Sequence, residues 1–299
     1  MVDKTPIKII AVIVIPLMIA LAVRFTTGDR SDKSGKKSDK AGQLNFSKEP
    51  AVNILISWLL PESLREVSGI AWLDADHFAC VQDELGTVFI FNVRLNKIDK
   101  EIPFGPNGDY EGIAIAGTTI YVLRADGALF GIENYSGTGR SVKMYETGLR
   151  KKQDSESLAY DKKNNRLLIA EKESDSKSSD YKGIYSFDLK SKTMAPDPVY
   201  KIDLKHAIFD DIKEKTKNSI SPSDIGIHPV NGDIYILEGT KPKLLVMNSA
   251  GEMLRLHDLK GGDFPQPEGL TFSPDGKLYI SNEGNKKEGN ILQVDLLNQ

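Results

Sequence analysis

Residues 268–281 read EGLTFSPDGKLYIS, and residues 111–124 read EGIAIAGTTIYVLR. Each stretch holds two short runs rich in β-forming residues, separated by turn-forming residues, which is the pattern of a β-hairpin. Related motifs begin at Ser68, Glu156 and Asp224, so that successive motif starts lie 43, 45, 68 and 44 residues apart. Self-similarity at a period of about 44 residues is the signature of a repeat architecture.

Most of the repeats continue into a third and a fourth apolar run, and units of four antiparallel strands at this period are the blades of a β-propeller. The prediction is therefore an all-β fold of five blades. The last repeat ends at Gln299 without a fourth strand, and the run Val52–Leu59 can supply it and close the ring. Six blades are the alternative, because the 68-residue interval could hide one, but the apolar spacing in 204–218 favours a helical insertion.

The composition excludes several classes of protein. The chain has 299 residues, of which 40% are hydrophobic and 27% charged, with a formal net charge of −3, so a disordered or collagen-like chain is excluded. Beyond residue 45 there are 31 basic and 38 acidic side chains, and this acidic balance argues against a nucleic-acid partner. The single cysteine, Cys80, lies within a second strand, where a buried core residue is expected.

The N-terminal segment predicts attachment to a membrane. Residues Ile9–Val23 are uninterruptedly apolar and follow Lys4 and Lys8, which fits either an uncleaved anchor or a cleaved export signal. The anchor is the favoured interpretation, although the basic residues that follow the segment oppose export by the positive-inside rule. The predicted division is 1–25 as anchor, 26–45 as flexible polar linker and 46–299 as propeller. The chain is then a single-pass protein of the cell (inner) membrane, with its propeller on the periplasmic side.

Acidic residues recur where the inner strand of a blade begins and where its second strand ends, and both points lie at the same mouth of the central channel. The candidate metal ligands are Glu111, Glu156, Asp224, Glu268 and Glu283. Crowded carboxylates without Cys or His suit a hard cation, and Ca²⁺ tolerates irregular oxygen geometry best. The alternative is structural, with the carboxylates accepting hydrogen bonds from backbone amides of the neighbouring blade.

The motifs Glu-Gly-Ile-Ala from Glu111, Glu-Ser-Leu-Ala-Tyr-Asp from Glu156 and Gln-Pro-Glu-Gly-Leu-Thr-Phe-Ser-Pro-Asp-Gly from Gln266 together resemble the SdiA-regulated domain family. The resemblance implies an exported or membrane-anchored bacterial β-propeller. It also implies a distant similarity to calcium-dependent propeller lactonases and esterases, which hold calcium in the channel through Glu, Asn and Asp. By that similarity Glu111 or Glu268 would match the Glu, and Asp224 the Asp.

Three functions remain open from the sequence. The favoured one is a non-enzymatic, membrane-tethered binding module with Ca²⁺ in its channel and an unknown small molecule or protein as partner at the acidic face. The second is a calcium-dependent lactonase or esterase, although no Ser-His-Asp arrangement is evident among the four histidines. The third is a metal-free interaction scaffold. Two insertions in the third repeat, Ser174–Lys182 and Leu204–Ile220, are expected to form a lid over the acidic mouth.

Overall fold

The computed structural model describes residues 52–149, 155–173, 180–210, 220–259 and 262–297. The strands in these ranges form five separate antiparallel sheets, which confirms the all-β prediction. The proposed anchor and linker, 1–25 and 26–45, lie outside the described residues. Within the described residues, no helix combines the length and the apolar composition needed to cross a membrane.

Each sheet is one blade, and its strands run outward from the channel in chain order except in blade 5, whose outermost strand is β1. Blade 1 contains β2 (Val67–Asp74), β3 (His77–Gln82), β4 (Thr87–Asn92) and β5 (Lys97–Pro103). Blade 2 contains β6 (Tyr110–Ala116), β7 (Thr119–Arg124), β8 (Ala128–Glu133) and β9 (Ser141–Glu146). Blade 3 contains β10 (Ala159–Asp161), β11 (Arg166–Ala170), β12 (Tyr181–Asp188), β13 (Thr193–Met194) and β14 (Tyr200–Asp203). Blade 4 contains β15 (Asp224–Ile227), β16 (Ile234–Glu238), β17 (Lys243–Met247) and β18 (Met253–Asp258). Blade 5 contains β19 (Pro267–Phe272), β20 (Leu278–Asn282), β21 (Asn290–Leu296) and β1 (Val52–Leu59).

The N-terminal strand closes the ring, as predicted. Strand β1 pairs antiparallel with β21, from Val52 opposite Leu296 to Leu59 opposite Asn290. The first strand of the domain is therefore the outermost strand of the last blade, and the count is five blades rather than six. Inside the long third interval, the described residues include one 3-10 turn, Ala207–Phe209, and no further sheet.

Five apolar clusters hold neighbouring blades together. Each cluster joins side chains from two adjacent blades, as where Val81 and Ile90 of blade 1 meet Ile113 and Val122 of blade 2. The remaining four interfaces repeat this arrangement around the ring. Cys80 belongs to the interface of blades 5 and 1, where complete burial raises the pKa of its thiol, so its predicted core position is confirmed.

Blade 3 departs from the expected strand boundaries. Strand β12 begins at Tyr181, so Tyr181 and Lys182 belong to the sheet and not to the predicted insertion Ser174–Lys182. Its outer neighbour is divided into β13 and β14, which both pair with β12. The residues from 174 to 179 and from 211 to 219, the central parts of the predicted lid, lie outside the described residues.

Candidate functional site

Midway along the channel each blade contributes one buried apolar side chain, and these side chains form an apolar belt. The belt residues are each at most 3% exposed, and they are Ile70, Ile113, Leu158, Ile225 and Leu270. The belt therefore separates the mouth that carries the predicted carboxylates, called the acidic mouth below, from the mouth on the opposite face.

The acidic mouth is formed by the residues two positions before the belt, which are Ser68, Glu111, Glu156, Ser223 and Glu268. In three blades this residue lies at a shift in ladder register. Tyr110 pairs with Arg124 and Gly112 with Leu123, for example, so Glu111 is the extra residue of a β-bulge. Ser68 and Glu268 occupy the same position in blades 1 and 5. A β-bulge changes the direction of the side chain of its extra residue. In blades 2 and 5 that residue is a glutamate at the channel mouth.

Asp224 is displaced by one position from the ring in which the sequence alignment places it. Asp224 pairs with Leu237 in blade 4, and Gly269 pairs with Ser281 at the equivalent point of blade 5. Asp224 is therefore equivalent to Gly269, and Ser223 is the residue equivalent to Glu268. Blades 1, 2 and 5 have glycine at this level, because the next blade approaches closely, and blade 3 has Ser157. A Cβ at Gly112 would lie 2.7 Å from the Leu158 Cβ.

The buried carboxylate of Asp224 links three inner strands instead of lining the mouth. Its Oδ2 accepts the Leu270 amide N–H at 2.6 Å, and its Oδ1 accepts the amides of Ile225 at 2.8 Å and Leu158 at 3.4 Å. Burial raises the pKa of Asp224, against the effect of these three donors. The alternative given above, a hydrogen bond to the backbone of neighbouring blades, is therefore the arrangement found at Asp224.

Glu111, Glu156 and Glu268 are brought together, as predicted for the channel mouth. Burial and the neighbouring carboxyl groups of Glu156 and Asp109 raise the pKa of Glu111 to about 10, with a smaller contribution from Glu268. Burial also raises the pKa of Glu268 to about 7, which Gln266 and Lys172 partly oppose. The raised pKa values of Glu111 and Glu268 therefore favour their protonated forms, chiefly because burial disfavours the charged carboxylates.

Lysines that are not among the predicted site residues supply positive charge to this region. Lys172 forms an ion pair with Glu156 at the mouth. Lys243 forms a buried ion pair with Glu238, its direct cross-strand neighbour. Lys182 is fully buried close to Glu238, and burial lowers its pKa. The sequence holds a signal for two of them, since Lys172 lies between two glutamates at the end of a second strand and Lys243 follows Glu238 across a tight hairpin.

Glu283 lies at the edge of the mouth. It accepts a hydrogen bond from Gln266, whose own Oε1 accepts from Asn285 at 3.1 Å. Burial, together with the carboxylates of Asp83 and Glu66, raises the pKa of Glu283. Gln266 also contacts Glu268 and so connects this edge to the central carboxyl groups.

The donor chemistry of the mouth suits a hard cation, but its arrangement is not that of a ready-made metal centre. In the part of the chain that the structure describes, no three His, Cys, Asp or Glu side chains are grouped so as to hold a metal ion. Asp224 is engaged by backbone amides and Glu156 by Lys172. A metal ion at Glu156 would therefore have to displace the Lys172 ammonium group.

A profile of the SdiA-regulated family matches residues 59–286, which is most of the chain. The chain belongs to the SdiA-regulated family. A search of curated proteins finds no match to it. The family assignment confirms the resemblance drawn from the repeat motifs.

Solved structures show that the fold is shared more widely. A glutaminyl cyclase from Myxococcus xanthus is similar over 83% of this chain and 98% of its own, with a TM-score of 0.55 and 15% identity. A protein of unknown function from Bacteroides thetaiotaomicron matches 82% of this chain and 76% of its own, with a TM-score of 0.50 and 10% identity. At these identities the likeness is one of fold.

Proposed function

We propose that this member of the SdiA-regulated family is a binding module whose acidic mouth takes a cation. The observation that carries the proposal is the meeting of Glu111, Glu156 and Glu268, with the pKa of Glu111 raised to about 10 and that of Glu268 to about 7. Carboxyl groups that bind protons this tightly have unmet demand for positive charge, and a cation that replaces the protons satisfies it.

Lys172 is then the internal competitor of that cation. Its ammonium group pairs with Glu156 and lowers the pKa of Glu268, so it already acts on two of the three carboxyl groups. Calcium is the first cation to test, because its ligands are carboxylate and carbonyl oxygens in flexible geometry. Organic ammonium ions are the second class of cation to test, because they carry the same charged group as the Lys172 side chain.

The experiment is thermal unfolding of the full-length protein with CaCl2, MgCl2 or neither. At one hundred times the dissociation constant, a bound ion adds about 2.7 kcal/mol, which raises the melting temperature of a domain this large by roughly 5 to 10 °C. Glu111→Gln with Glu268→Gln should abolish the rise. Lys172→Met should increase it, because the competitor is gone.

The control is Glu133→Gln, which removes a carboxylate on the outer part of blade 2, far from the channel. It should leave the calcium response unchanged. A response that survives in the double glutamine variant would place the ion elsewhere. The absence of any response to calcium or to a panel of alkylamines, in both wild type and Lys172→Met, would favour a metal-free scaffold instead.

We infer that the module is tethered to the cell membrane on its periplasmic side, from the apolar run Ile9–Val23 and the polar linker that follows. Alkaline extraction of membranes separates the outcomes: an uncleaved anchor keeps the full-length chain in the pellet, whereas a cleaved signal releases a shorter chain.

A catalytic role for the same carboxyl groups is the second candidate. A carboxyl group with a pKa of about 7, as at Glu268, is suited to proton transfer at neutral pH. The test is hydrolysis of a panel of lactones and aryl esters, with and without a chelator. Turnover that Glu268→Gln abolishes while the protein still binds the cation would make the site an active site.

A further inference from the structure

The channel mouth opposite the acidic mouth contains a cavity of 290 Å³, to which all five inner strands contribute. Its floor is the apolar belt. Its wall is a ring of apolar side chains, one from each blade and each partly exposed, formed by Trp72, Ile115, Tyr160, Ile227 and Phe272. We call it the apolar cup.

The cup is hollow because small residues separate the floor from the wall. They stand one position after the belt in each inner strand, and they are Ala71, Ala114, Ala159, Gly226 and Thr271. A Cβ at Gly226 would lie 2.1 Å from the Leu270 Cδ2 of the belt and 3.3 Å from the Phe272 ring of the wall. Larger side chains at this level would fill the space, so the cavity follows from the residues chosen in all five blades.

The wall is held in place by the strands that carry it. The Trp72 amide N–H donates to the Thr271 Oγ1 at 3.0 Å, which joins blade 1 to blade 5 at the level of the cup. Each wall residue also packs against the core of one interface between blades, as Phe272 does on the cluster of blades 4 and 5. The cup is therefore a preformed concave site.

The positive charge at the rim of the apolar cup indicates which charged group one end of a bound molecule would carry. Among the described residues that line the cavity, Lys162 is the only charged one, and the wall and floor are otherwise apolar apart from the hydroxyl groups of Tyr160, Thr271 and Ser273. A molecule that fits has an apolar body for the cup and an anionic group for Lys162. Such a molecule is an anion, whereas the ligand proposed for the acidic mouth is a cation.

We propose that the apolar cup binds a small carboxylate with an aliphatic or aromatic body. This site lies on the other face of the ring from the acidic mouth and does not depend on the function proposed there. The cavity of 290 Å³ has room for roughly ten groups of the size of a water molecule, so a chain of six to eight carbons is the length to test first.

Trp72 is a reporter inside the cup. The chain has two tryptophans, and Trp58→Phe leaves Trp72 as the only one. The full-length Trp58→Phe protein is titrated with sodium butanoate, hexanoate and octanoate below their micelle concentrations, and the emission of Trp72 is recorded. Octanoate should shift the emission to shorter wavelength and saturate. Affinity should rise about fourfold for each added methylene group while the cup still has room.

Three variants separate a specific site from general hydrophobic binding. Ile115→Glu and Ile227→Glu, made separately at partly exposed wall positions, should each weaken octanoate binding more than tenfold while the protein stays folded. Lys162→Met should weaken octanoate binding about twofold to fivefold and leave octanol binding unchanged. Glu111→Gln, at the acidic mouth, is the matched control and should have no effect. An unchanged Trp72 emission with all three carboxylates, or octanoate binding in both wall variants as tight as in the Trp58→Phe protein, would overturn the proposal.

Discussion

Replacing Asp224 with alanine tests whether its carboxylate joins the inner strands or serves a ligand. The variant removes the acceptor of the Leu158 and Leu270 amides, which belong to blades 3 and 5, and of its neighbour Ile225. Leu158 and Leu270 belong to the buried belt, where their amides have little access to water. The loss therefore affects three blades at the same point.

The expected cost follows from the two amides that lie outside blade 4. A buried donor left without a partner costs about 1–3 kcal/mol, so the pair costs about 2–6 kcal/mol. Burial of the Asp224 carboxyl group is itself unfavourable, as its raised pKa indicates, and removing it returns part of that cost. The variant Asp224→Ala should therefore lower the free energy of unfolding by about 3 kcal/mol, and Asp224→Asn by less, since one acceptor remains.

Urea denaturation of the full-length protein measures this difference, with the exposed Glu133→Gln as control at less than about 0.5 kcal/mol. A loss of less than about 1 kcal/mol in Asp224→Ala would refute the structural role. If that variant kept its stability and lost a calcium response present in the wild type, Asp224 would be the metal ligand that the sequence predicts.

Three other experiments test the charged groups. Burial raises the pKa of Glu268 to about 7 from its ordinary 4.5. The contribution of Glu268 to stability is therefore complete below pH 4.5 and is lost as pH rises through 7. Between pH 4 and 9 the melting temperature should fall less steeply in Glu268→Gln than in the wild type. Lys243→Met leaves Glu238 buried without its ion pair and should cost about 3–5 kcal/mol in urea, most of which Glu238→Leu restores in the double variant. The His77 Nδ1 lies 2.8 Å from the Asp74 Oδ1, and its Nε2 lies 3.1 Å from the Asp99 Oδ2. These carboxylates raise the pKa of His77, so its contribution to the stability of the fold is present below pH 6.5 and lost at higher pH. His77→Gln should therefore lower the melting temperature at pH 5 and leave it nearly unchanged at pH 8.5.

The blades could be predicted from the sequence because the repeat spacing and the strand pattern carry the same information five times. The position of Asp224 could not, because an alignment that matches acid to acid places it beside Glu268. Only the ladder partners Leu237 and Ser281 reveal the shift by one residue. A shift of one residue changes which way a strand side chain points. Asp224 therefore binds backbone amides of the neighbouring blades instead of lining the acidic mouth.

The charge balance of the mouth was also only half predictable. The sequence places Glu111, Glu156 and Glu268 at one mouth because strand ends of equivalent blades must meet there. It does not indicate whether Lys172 reaches inward, since a long side chain at a strand end can extend into water or fold over the channel. The apolar cup depends on five small residues on five strands, a set that is recognised once the strands are arranged in a ring.

Closure of the ring by β1 has a mechanical consequence. The chain enters the propeller at Val52, the first residue of the strand that seals blade 5, and this strand lies on the outside of its sheet. A pulling force transmitted through the preceding residues loads the pairs between β1 and β21 one after another, starting at Val52 and Leu296. Hydrogen bonds opened in sequence resist far less than bonds loaded together. Tension on the N-terminal side would thus detach β1 first and remove the outer strand of blade 5, while the other four blades keep their strands.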